Sequence, residues 1–203
     1  MTKIKLCGMY RERDIDYVNE AQPDYIGFII NFPKSHRSVS PDRAEELRKR
    51  LRIGIKAVGV FVNSPVTVCA DMAKRGVIDL IQLHGSEDAE YIESLRRFTD
   101  VPIIKAVKVT APEDIARAET LGADFLLLDN GTGTGQMFDH SLIDVEKIST
   151  PFFLAGGLTP ENIAQAAQTV NPYAVDISSG IETDRVKDRE KILAAVRAIR
   201  ALD

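Results

Sequence analysis

Residues able to do acid–base chemistry stand at or near the ends of short apolar runs. The segment "KIKLCG" ends its run with Cys7, "FLLLD" ends with Asp129, and "AVDISSG" carries Asp176. An ionised thiol is a base or a nucleophile. A carboxyl group that follows so apolar a run can keep a proton and donate it near neutral pH. These positions predict an acid–base site, with the thiol of Cys7 open to a shared mouth.

Each of these residues also has a purely structural interpretation. A free cysteine is often a small buried apolar side chain, and we adopt that interpretation for Cys69, in the middle of a predicted helix. Asp129 precedes Asn130 and Gly131, which favours a turn. Asp176 lies between two apolar residues, and an unpaired buried charge is costly. We therefore expect a hydrogen-bonding partner for Asp176.

Two glycine-containing segments predict a phosphate site. The segments "AGGLTPENI" and "DISSGIE" each follow an apolar run, and they contain Gly156, Gly157, Ser179 and Gly180. Glycine lets the backbone approach a ligand closely and offer its N–H groups, and helix N-termini favour anions. The alternative is that these glycines only form tight turns. Two such segments side by side favour phosphate binding.

A basic segment and three histidines complete the candidate residues. Arg37 follows Lys34 and His36; arginine clamps carboxylates or stacks on aromatic rings, although a solvated basic loop is the alternative. His84 ends another apolar run, so we place it at the same mouth as a substrate-binding residue. The histidines, at positions 36, 84 and 140, lack the spacing of paired metal ligands. We expect no metal.

The elements that must position these residues alternate regularly. Eight short apolar runs, separated by turns and amphipathic helical patterns, are Ile4–Cys7, Tyr25–Ile30, Ala57–Val62, Leu80–Leu83, Ile103–Val107, Phe125–Leu128, Phe152–Ala155 and Ala174–Ile177. Most are continuous, which is typical of strands in a parallel sheet covered by helices. We predict an α/β protein with one (β/α)8 barrel domain over residues 1–203. An open doubly wound sheet is the alternative, but its glycine-rich loop normally follows the first strand.

Helix starts are predicted from capping patterns. The "SP" pair at residues 40–41 and the "TP" pair at residues 159–160 each put a hydroxyl before a proline. Glu87 and Asp88 are predicted in the first turn of a helix, where the helix dipole favours acids.

Composition excludes several classes of function. The net charge of −4 argues against a general binder of nucleic acid or of anionic membranes. No apolar run approaches the ~20 residues of a membrane span, and the N-terminus shows no signal-peptide pattern. Two cysteines form no disulfide framework, which favours a reducing cytoplasmic setting. Nothing sets the oligomeric state, and a monomer is the starting expectation.

The candidate residues lie within nine ordered motifs that span nearly the whole chain. The motifs are "KLCG", "GF" with "PKSHRSVSP", "VGVFVN", "QLHG", "IKAV", "LLLD", "GTGQMFD", "AGGLTPENI" and "VDISSGIE". In these motifs the chain resembles the phosphoribosylanthranilate isomerase family of tryptophan biosynthesis. The resemblance implies a barrel of the ribulose-phosphate-binding type. It also implies an Amadori rearrangement of N-(5-phosphoribosyl)anthranilate to 1-(2-carboxyphenylamino)-1-deoxyribulose 5-phosphate, without a cofactor or a metal.

The resemblance also implies roles by position. Cys7 matches the general base and Asp129 the general acid, while Arg37 matches the residue that engages the anthranilate end. Asp176 matches a carboxylate that orients the substrate. The phosphate would lie against the glycines and serine of the two segments described above.

Four positions depart from the family pattern. They are Tyr10, Gln136, His140 and Arg185, and they affect details of the loops rather than the acid, the base or the phosphate glycines. A metal-dependent epimerase of phosphorylated sugars is a rival interpretation, but Asn63 ends the third predicted strand where a metal ligand would be needed. A catalytically silent sugar-phosphate-binding barrel is another rival, and it would need neither Cys7 nor Asp129.

Overall fold

The structure, a computed structural model, describes residues 1–129 and 143–202. Within them, parallel strands form one sheet. In chain order these strands are β1 (Lys3–Cys7), β2 (Tyr25–Ile30), the two-residue β3 (Ser38–Val39), β4 (Lys56–Phe61), β5 (Leu80–Leu83), β6 (Ile103–Lys108), β7 (Phe125–Asp129), β8 (Phe152–Leu154) and β9 (Ala174–Ile177). Each run predicted from its apolar residues is a strand, with bounds that differ by at most one residue at either end.

Closure of the sheet comes from β1, which pairs with two neighbours. The strand order is β1-β9-β8-β7-β6-β5-β4-β2, and β1 also pairs with β2 through Cys7 opposite Gly27. The short β3 pairs with Ile29 and Ile30, the last two residues of β2, beyond the point where β1 ends. Eight strands therefore close a parallel barrel, and the prediction of a (β/α)8 barrel is confirmed. All carboxyl ends of the strands meet at one rim.

Helices surround the barrel. They are α1 (Glu12–Ala21), α2 (Pro41–Arg50), α3 (Val66–Lys74), α4 (Ala89–Arg96), α5 (Pro112–Glu119), α6 (Ile163–Val170) and α7 (Arg189–Arg200). Among the described residues between β7 and β8 there is a 3-10 turn, Val145–Lys147. A two-stranded antiparallel hairpin, β10 (Glu182–Thr183) and β11 (Val186–Lys187), precedes α7.

The capping predictions have mixed outcomes. Ser40 caps α2 as predicted, because its hydroxyl accepts from the backbone N–H of Arg43. The prediction for residues 159–160 is wrong: α6 begins only at Ile163. The side chain of Asn162 accepts from the backbone N–H of Thr159, which closes a turn ahead of the helix.

Two apolar cores lie on the two faces of the strands. The inner core fills the barrel with one or two side chains from most strands, among them Tyr25, Leu80, Leu127 and Phe153. The outer core fills the space between strands and helices. Successive strand residues point alternately to these cores, which is why the runs are continuously apolar.

A buried ion pair between Glu87 and Lys105 links β6 to the segments that follow β4 and β5, on the outer side of the barrel. Lys105 on β6 donates to Glu87 Oε2 at 3.0 Å and to the Gly85 carbonyl at 2.7 Å. The same carboxylate accepts from the backbone N–H of Asn63 at 2.7 Å and of Gly85 at 2.8 Å. The prediction of Glu87 in a first helical turn is wrong, since only Asp88 caps α4. Glu87 instead fixes the turn that carries His84.

We predict that Glu87→Gln lowers the free energy of unfolding by about 1–3 kcal/mol, because the Lys105 ammonium would stay buried without its anion. Urea denaturation followed by circular dichroism measures the change. Glu90→Gln, an exposed substitution on the same segment, is the matched control and should change stability by less than about 0.5 kcal/mol. Equal stability of the two variants would contradict the prediction.

Candidate active site

The mouth of the barrel holds a cavity of about 380 Å³ at the carboxyl ends of the strands. Eight of the nine site residues expected from the sequence line it. They are Cys7, Arg37, His84, Asp129, Gly156, Gly157, Asp176 and Ser179. The ninth, Gly180, is not among the residues that line the cavity. The predicted catalytic and binding residues, which come from distant parts of the chain, therefore share one concave site.

The thiol of Cys7 lies in the floor of this cavity. Only 7% of the residue is exposed, so the expectation of an open thiol is wrong. Gly27 on β2 makes room for it, since a Cβ there would lie 2.7 Å from Cys7 Sγ. Burial raises the pKa of the Cys7 thiol, and Asp176 adds to the rise, while Lys5 and Lys187 oppose it. At neutral pH the thiol form predominates.

Asp176 has the partner expected for a buried charge. Lys5 Nζ lies 2.8 Å from Asp176 Oδ2, and both residues are buried. Burial by itself would lower the pKa of the Lys5 ammonium, but Asp176 and Cys7 outweigh burial and leave that pKa above its ordinary value. Sequence reasoning missed Lys5. Its signal was a lysine inside an apolar strand, two positions before Cys7 and therefore on the same face.

Two buried acceptors in the cavity have no hydrogen-bonding partner among the described residues. They are Asp176 Oδ1 and Gln82 Oε1, on β9 and β5. Both residues line the cavity. Buried polar groups are nearly always hydrogen-bonded, so these two oxygens call for donors on a ligand. Gln82 belongs to the motif "QLHG", and the sequence predicts no role for it.

His84 and Asp129 form the wall opposite the thiol. Desolvation by the surrounding protein lowers the pKa of His84, and the attraction of the protonated ring to Asp129 opposes that change. Gln82 Nε2 lies 2.9 Å from His84 Nδ1. An amide nitrogen donates, so neutral His84 accepts at Nδ1 and carries its proton on Nε2. The end of β7 is anchored by the Val109 N–H, which donates to the Asp129 carbonyl at 2.8 Å.

Arg37 is held at the rim by a carboxylate that sequence reasoning missed. Its Nε and Nη2 donate to the two oxygens of Glu182 at 2.5 and 2.7 Å. Lys187 Nζ lies 2.8 Å from the same carboxylate. Burial alone would raise the pKa of Glu182, but Arg37 and Lys187 lower it to about 2. A Cβ on Gly8 would come within 2.5 Å of Arg37 Cδ, so glycine is required there.

The glycine-containing segments after β8 and β9 meet at the cavity. Gly156 and Gly157 have φ of 91° and 68°, a conformation that glycine adopts without strain. Gly180 packs closely against the first of these segments, because a Cβ there would lie 2.0 Å from the carbonyl oxygen of Leu158. The contribution of Gly180 is thus to let the two segments pack. Ser179 lines the cavity beside them.

Two departures from the family pattern meet at one histidine on the rim. The rings of Tyr10 and His36 form an edge contact with centroids 6.2 Å apart. Arg185 Nη2 donates to His36 Nδ1 at 3.1 Å, and His36 Nε2 donates to the Arg185 carbonyl at 3.1 Å. The other two departures, Gln136 and His140, lie outside the described residues.

Across positions 1–129 and 143–202, no three His, Cys, Asp or Glu side chains cluster so that they could hold a metal ion. Among the helices of the same ranges, none is long and apolar enough to cross a membrane.

Fold and site together define a class of protein. This is a barrel enzyme whose mouth combines a thiol, a carboxyl group and two glycine-lined segments suited to a small phosphorylated molecule. The chain belongs to the N-(5'-phosphoribosyl)anthranilate isomerase family, whose model, described as N-(5'phosphoribosyl)anthranilate (PRA) isomerase, matches residues 4–198. The predicted family and enzyme class are confirmed.

Individual relatives are similar over their whole length. The N-(5'-phosphoribosyl)anthranilate isomerase of Clostridium acetobutylicum is 42% identical over 207 aligned positions, covering 98% of each chain. The crystal structure of the Thermotoga maritima phosphoribosyl anthranilate isomerase has a TM-score of 0.88 and 33% identity, covering 99% of this chain and 100% of that one. Another isomerase structure, in complex with reduced 1-(o-carboxyphenylamino)-1-deoxyribulose 5-phosphate, has a TM-score of 0.86, 33% identity and the same coverage.

We predict that Cys7 reacts slowly with iodoacetamide at neutral pH and that its rate rises through alkaline pH. Burial raises its pKa, and only the thiolate reacts. Peptide mapping after timed labelling measures the rate against that of free cysteine. Cys69 is the internal control: it is fully buried in α3, and burial raises its pKa to about 11. A Cys7 rate at neutral pH equal to that of free cysteine would contradict the prediction.

Proposed function

We propose that this chain isomerises N-(5-phosphoribosyl)anthranilate to 1-(2-carboxyphenylamino)-1-deoxyribulose 5-phosphate, a step of tryptophan biosynthesis. The observation that carries the proposal is the meeting of Cys7 and Asp129 at one mouth, beside the glycine-lined segments. The two groups come from strands that lie three places apart around the barrel. A substrate between them can exchange protons with both.

Asp129 acts first, as the general acid. Its carboxyl group protonates the ring oxygen of the furanose, and the bond between that oxygen and C1 breaks. The nitrogen lone pair forms the C1=N bond of a protonated Schiff base. General acid catalysis requires a proton donor at the leaving oxygen, and the end of β7 supplies it from the cavity wall.

Cys7 acts second, as the general base. Its thiolate takes the proton from C2, and the electron pair moves into a C1=C2 bond, which gives an enolamine. The enol then loses its hydroxyl proton as C1 gains one, and the ketone results. The protonated imine acidifies the C2–H bond, so a modest base is enough for this step.

The rest of the mouth binds and orients the substrate. Arg37 offers a guanidinium, held by Glu182, to the anthranilate carboxylate. The backbone at Gly156, Gly157 and Ser179 cradles the phosphate, with Gly180 holding the two segments together. His84, as the neutral imidazole, contacts the substrate with its Nε2–H.

Sugar hydroxyls satisfy the two buried acceptors. Asp176 Oδ1 and Gln82 Oε1 lack partners among the described residues and lie on opposite sides of the barrel. An open-chain sugar that crosses the mouth can donate a hydroxyl proton to each. In this proposal the enzyme acts as a monomer, since the assigned groups all come from one chain. It works in the cytoplasm, because Cys7 must stay reduced.

We predict that Cys7→Ala and Asp129→Asn each reduce kcat by ~10²–10⁴-fold, the usual contribution of a general acid or base. A fluorescence assay of substrate disappearance measures the loss, and circular dichroism checks the fold. Cys69→Ala is the matched control and should retain nearly full turnover, because Cys69 packs in α3 away from the mouth. Near-normal turnover of either site variant removes that residue from the mechanism.

We also predict that inorganic phosphate competes weakly with the substrate, and that a dephosphorylated substrate loses much of its kcat/KM, because remote binding energy positions the reacting atoms. Gly180→Ala should weaken competition by phosphate, since its Cβ would push the two segments apart. Inhibition constants from steady-state assays test both. Equal efficiency with and without the substrate phosphate would exclude the anion site.

A further inference from the structure

The mechanism above uses a thiolate but leaves its counter-ion unassigned. A buried thiol resists ionisation, because a charge in a medium of low polarity is costly unless an opposite charge is close. Cys7 is buried, and its base role requires the charged form. Some buried cation must therefore stabilise the thiolate.

Lys5 has the position that this requires. It is fully buried inside the barrel and lies two residues before Cys7 on β1, so both side chains point inward. They share the space that Gly27 leaves open: a Cβ at Gly27 would lie 2.7 Å from Cys7 Sγ and 3.4 Å from Lys5 Cε. Asp176 Oδ2, at 2.8 Å from Lys5 Nζ, holds the ammonium in place.

The other charged groups around the thiol form a linked set, and its ammonium, Lys187, favours the thiolate less than Lys5 does. The guanidinium of Arg37 and the ammonium of Lys187 share the carboxylate of Glu182. With Cys7 as a neutral thiol, the cluster carries one positive charge in excess, and the thiolate removes it. The cluster consists of the cations Lys5, Lys187 and Arg37 and the anions Asp176 and Glu182.

We propose that Lys5 is a positioning residue for the reaction: its buried ammonium, clamped by Asp176, is the counter-ion that lets the thiolate of Cys7 exist inside the barrel. Lys5 remains an ammonium throughout and transfers no proton. The C2 proton goes to the sulfur alone. The inference rests on the proposed role of Cys7 as the base, and it adds a specific electrostatic duty to a lysine that touches no substrate.

The two partners of the ion pair must act on the thiol in opposite directions. Lys5→Met removes the cation, so the thiolate loses its counter-ion and the thiol titrates at higher pH. Asp176→Asn removes the competing anion, so the ammonium serves the thiolate alone and the thiol titrates at lower pH. If the ion pair acted on Cys7 only through packing, the two variants would not shift the titration of the thiol in opposite directions, because breaking the pair from either side would loosen the barrel in a similar way.

The experiment measures the rate of iodoacetamide alkylation of Cys7 against pH, without substrate. The background is Cys69→Ala, which leaves one thiol. We expect the midpoint of the alkylation profile to move up by about one pH unit or more in Lys5→Met and to move down in Asp176→Asn. A neighbouring charge produces shifts of this size. Glu87→Gln is the matched control: it breaks a buried ion pair on the outer side of the strands and should leave the midpoint unchanged.

Several outcomes would overturn the inference. They are shifts of the same sign in the two variants, no shift in Lys5→Met, and an equal shift in Glu87→Gln. If Lys5→Met alone does not fold, because it leaves Asp176 buried without a cation, the comparison is between Asp176→Asn and Lys5→Met/Asp176→Asn. These differ only in the Lys5 charge, so the double variant must titrate higher, and equal midpoints overturn the inference.

Failure of this inference is distinguishable from failure of the proposed function. Alkylation reports the ionisation of Cys7 and does not depend on turnover. If Cys7→Ala keeps its activity, the base assignment fails even though the opposite shifts are observed. If Cys7→Ala is inactive and the shifts are absent, the base assignment stands and the role of Lys5 falls.

Discussion

Closure of the barrel through β1 is the constraint on which the rest of the structure depends. This strand pairs with β2 on one side and with β9 on the other, so the first and last barrel strands of the chain become neighbours. Closure puts Lys5 beside Asp176, although 170 residues separate them. It also brings the segment after β9 next to the first strand, where the Ser178 hydroxyl donates to the carbonyl of Cys7. Cys7, the proposed base, and one of the two segments proposed to bind phosphate are therefore built on adjacent strands.

Charge inside and around the mouth is organised as linked pairs rather than as isolated ions. The pair inside the barrel lies under the thiol, and the cluster of Arg37, Glu182 and Lys187 lies at the rim. Each charge is buried or half-buried, where a lone ion would be costly, and each finds at least one opposite charge within hydrogen-bonding distance. Of these cations, Arg37 lines the cavity, while the pairing limits the cost of holding Lys5 and Lys187 out of water.

Glycines without a side chain make this crowding possible. Gly27 leaves the space that the thiol and the lysine share, Gly8 lets the Arg37 side chain pack close to the backbone, and Gly180 allows the two segments proposed to bind phosphate to touch. These three positions follow one physical rule, which is that a Cβ would overlap an atom of the site. In the patterns "CG" and "SSG", the glycine is therefore needed because another part of the site packs directly against it.

The sequence by itself determined the number and order of the barrel strands, the rim on which the site lies, and most of its members. Those conclusions depend on local signals, namely apolar continuity and the residue type at the end of each run. Sequence reasoning missed the ion pair of Lys5, the buried acceptor of Gln82 and the salt bridges of Glu182, and it put Glu87 on the wrong element. Only the tertiary structure decided these, because the partner of a buried charge is chosen by strand neighbours that are distant along the chain. For the same reason, only the folded barrel shows that Cys7 is buried. Burial depends on residues that surround the thiol in space, and most of these are distant along the sequence.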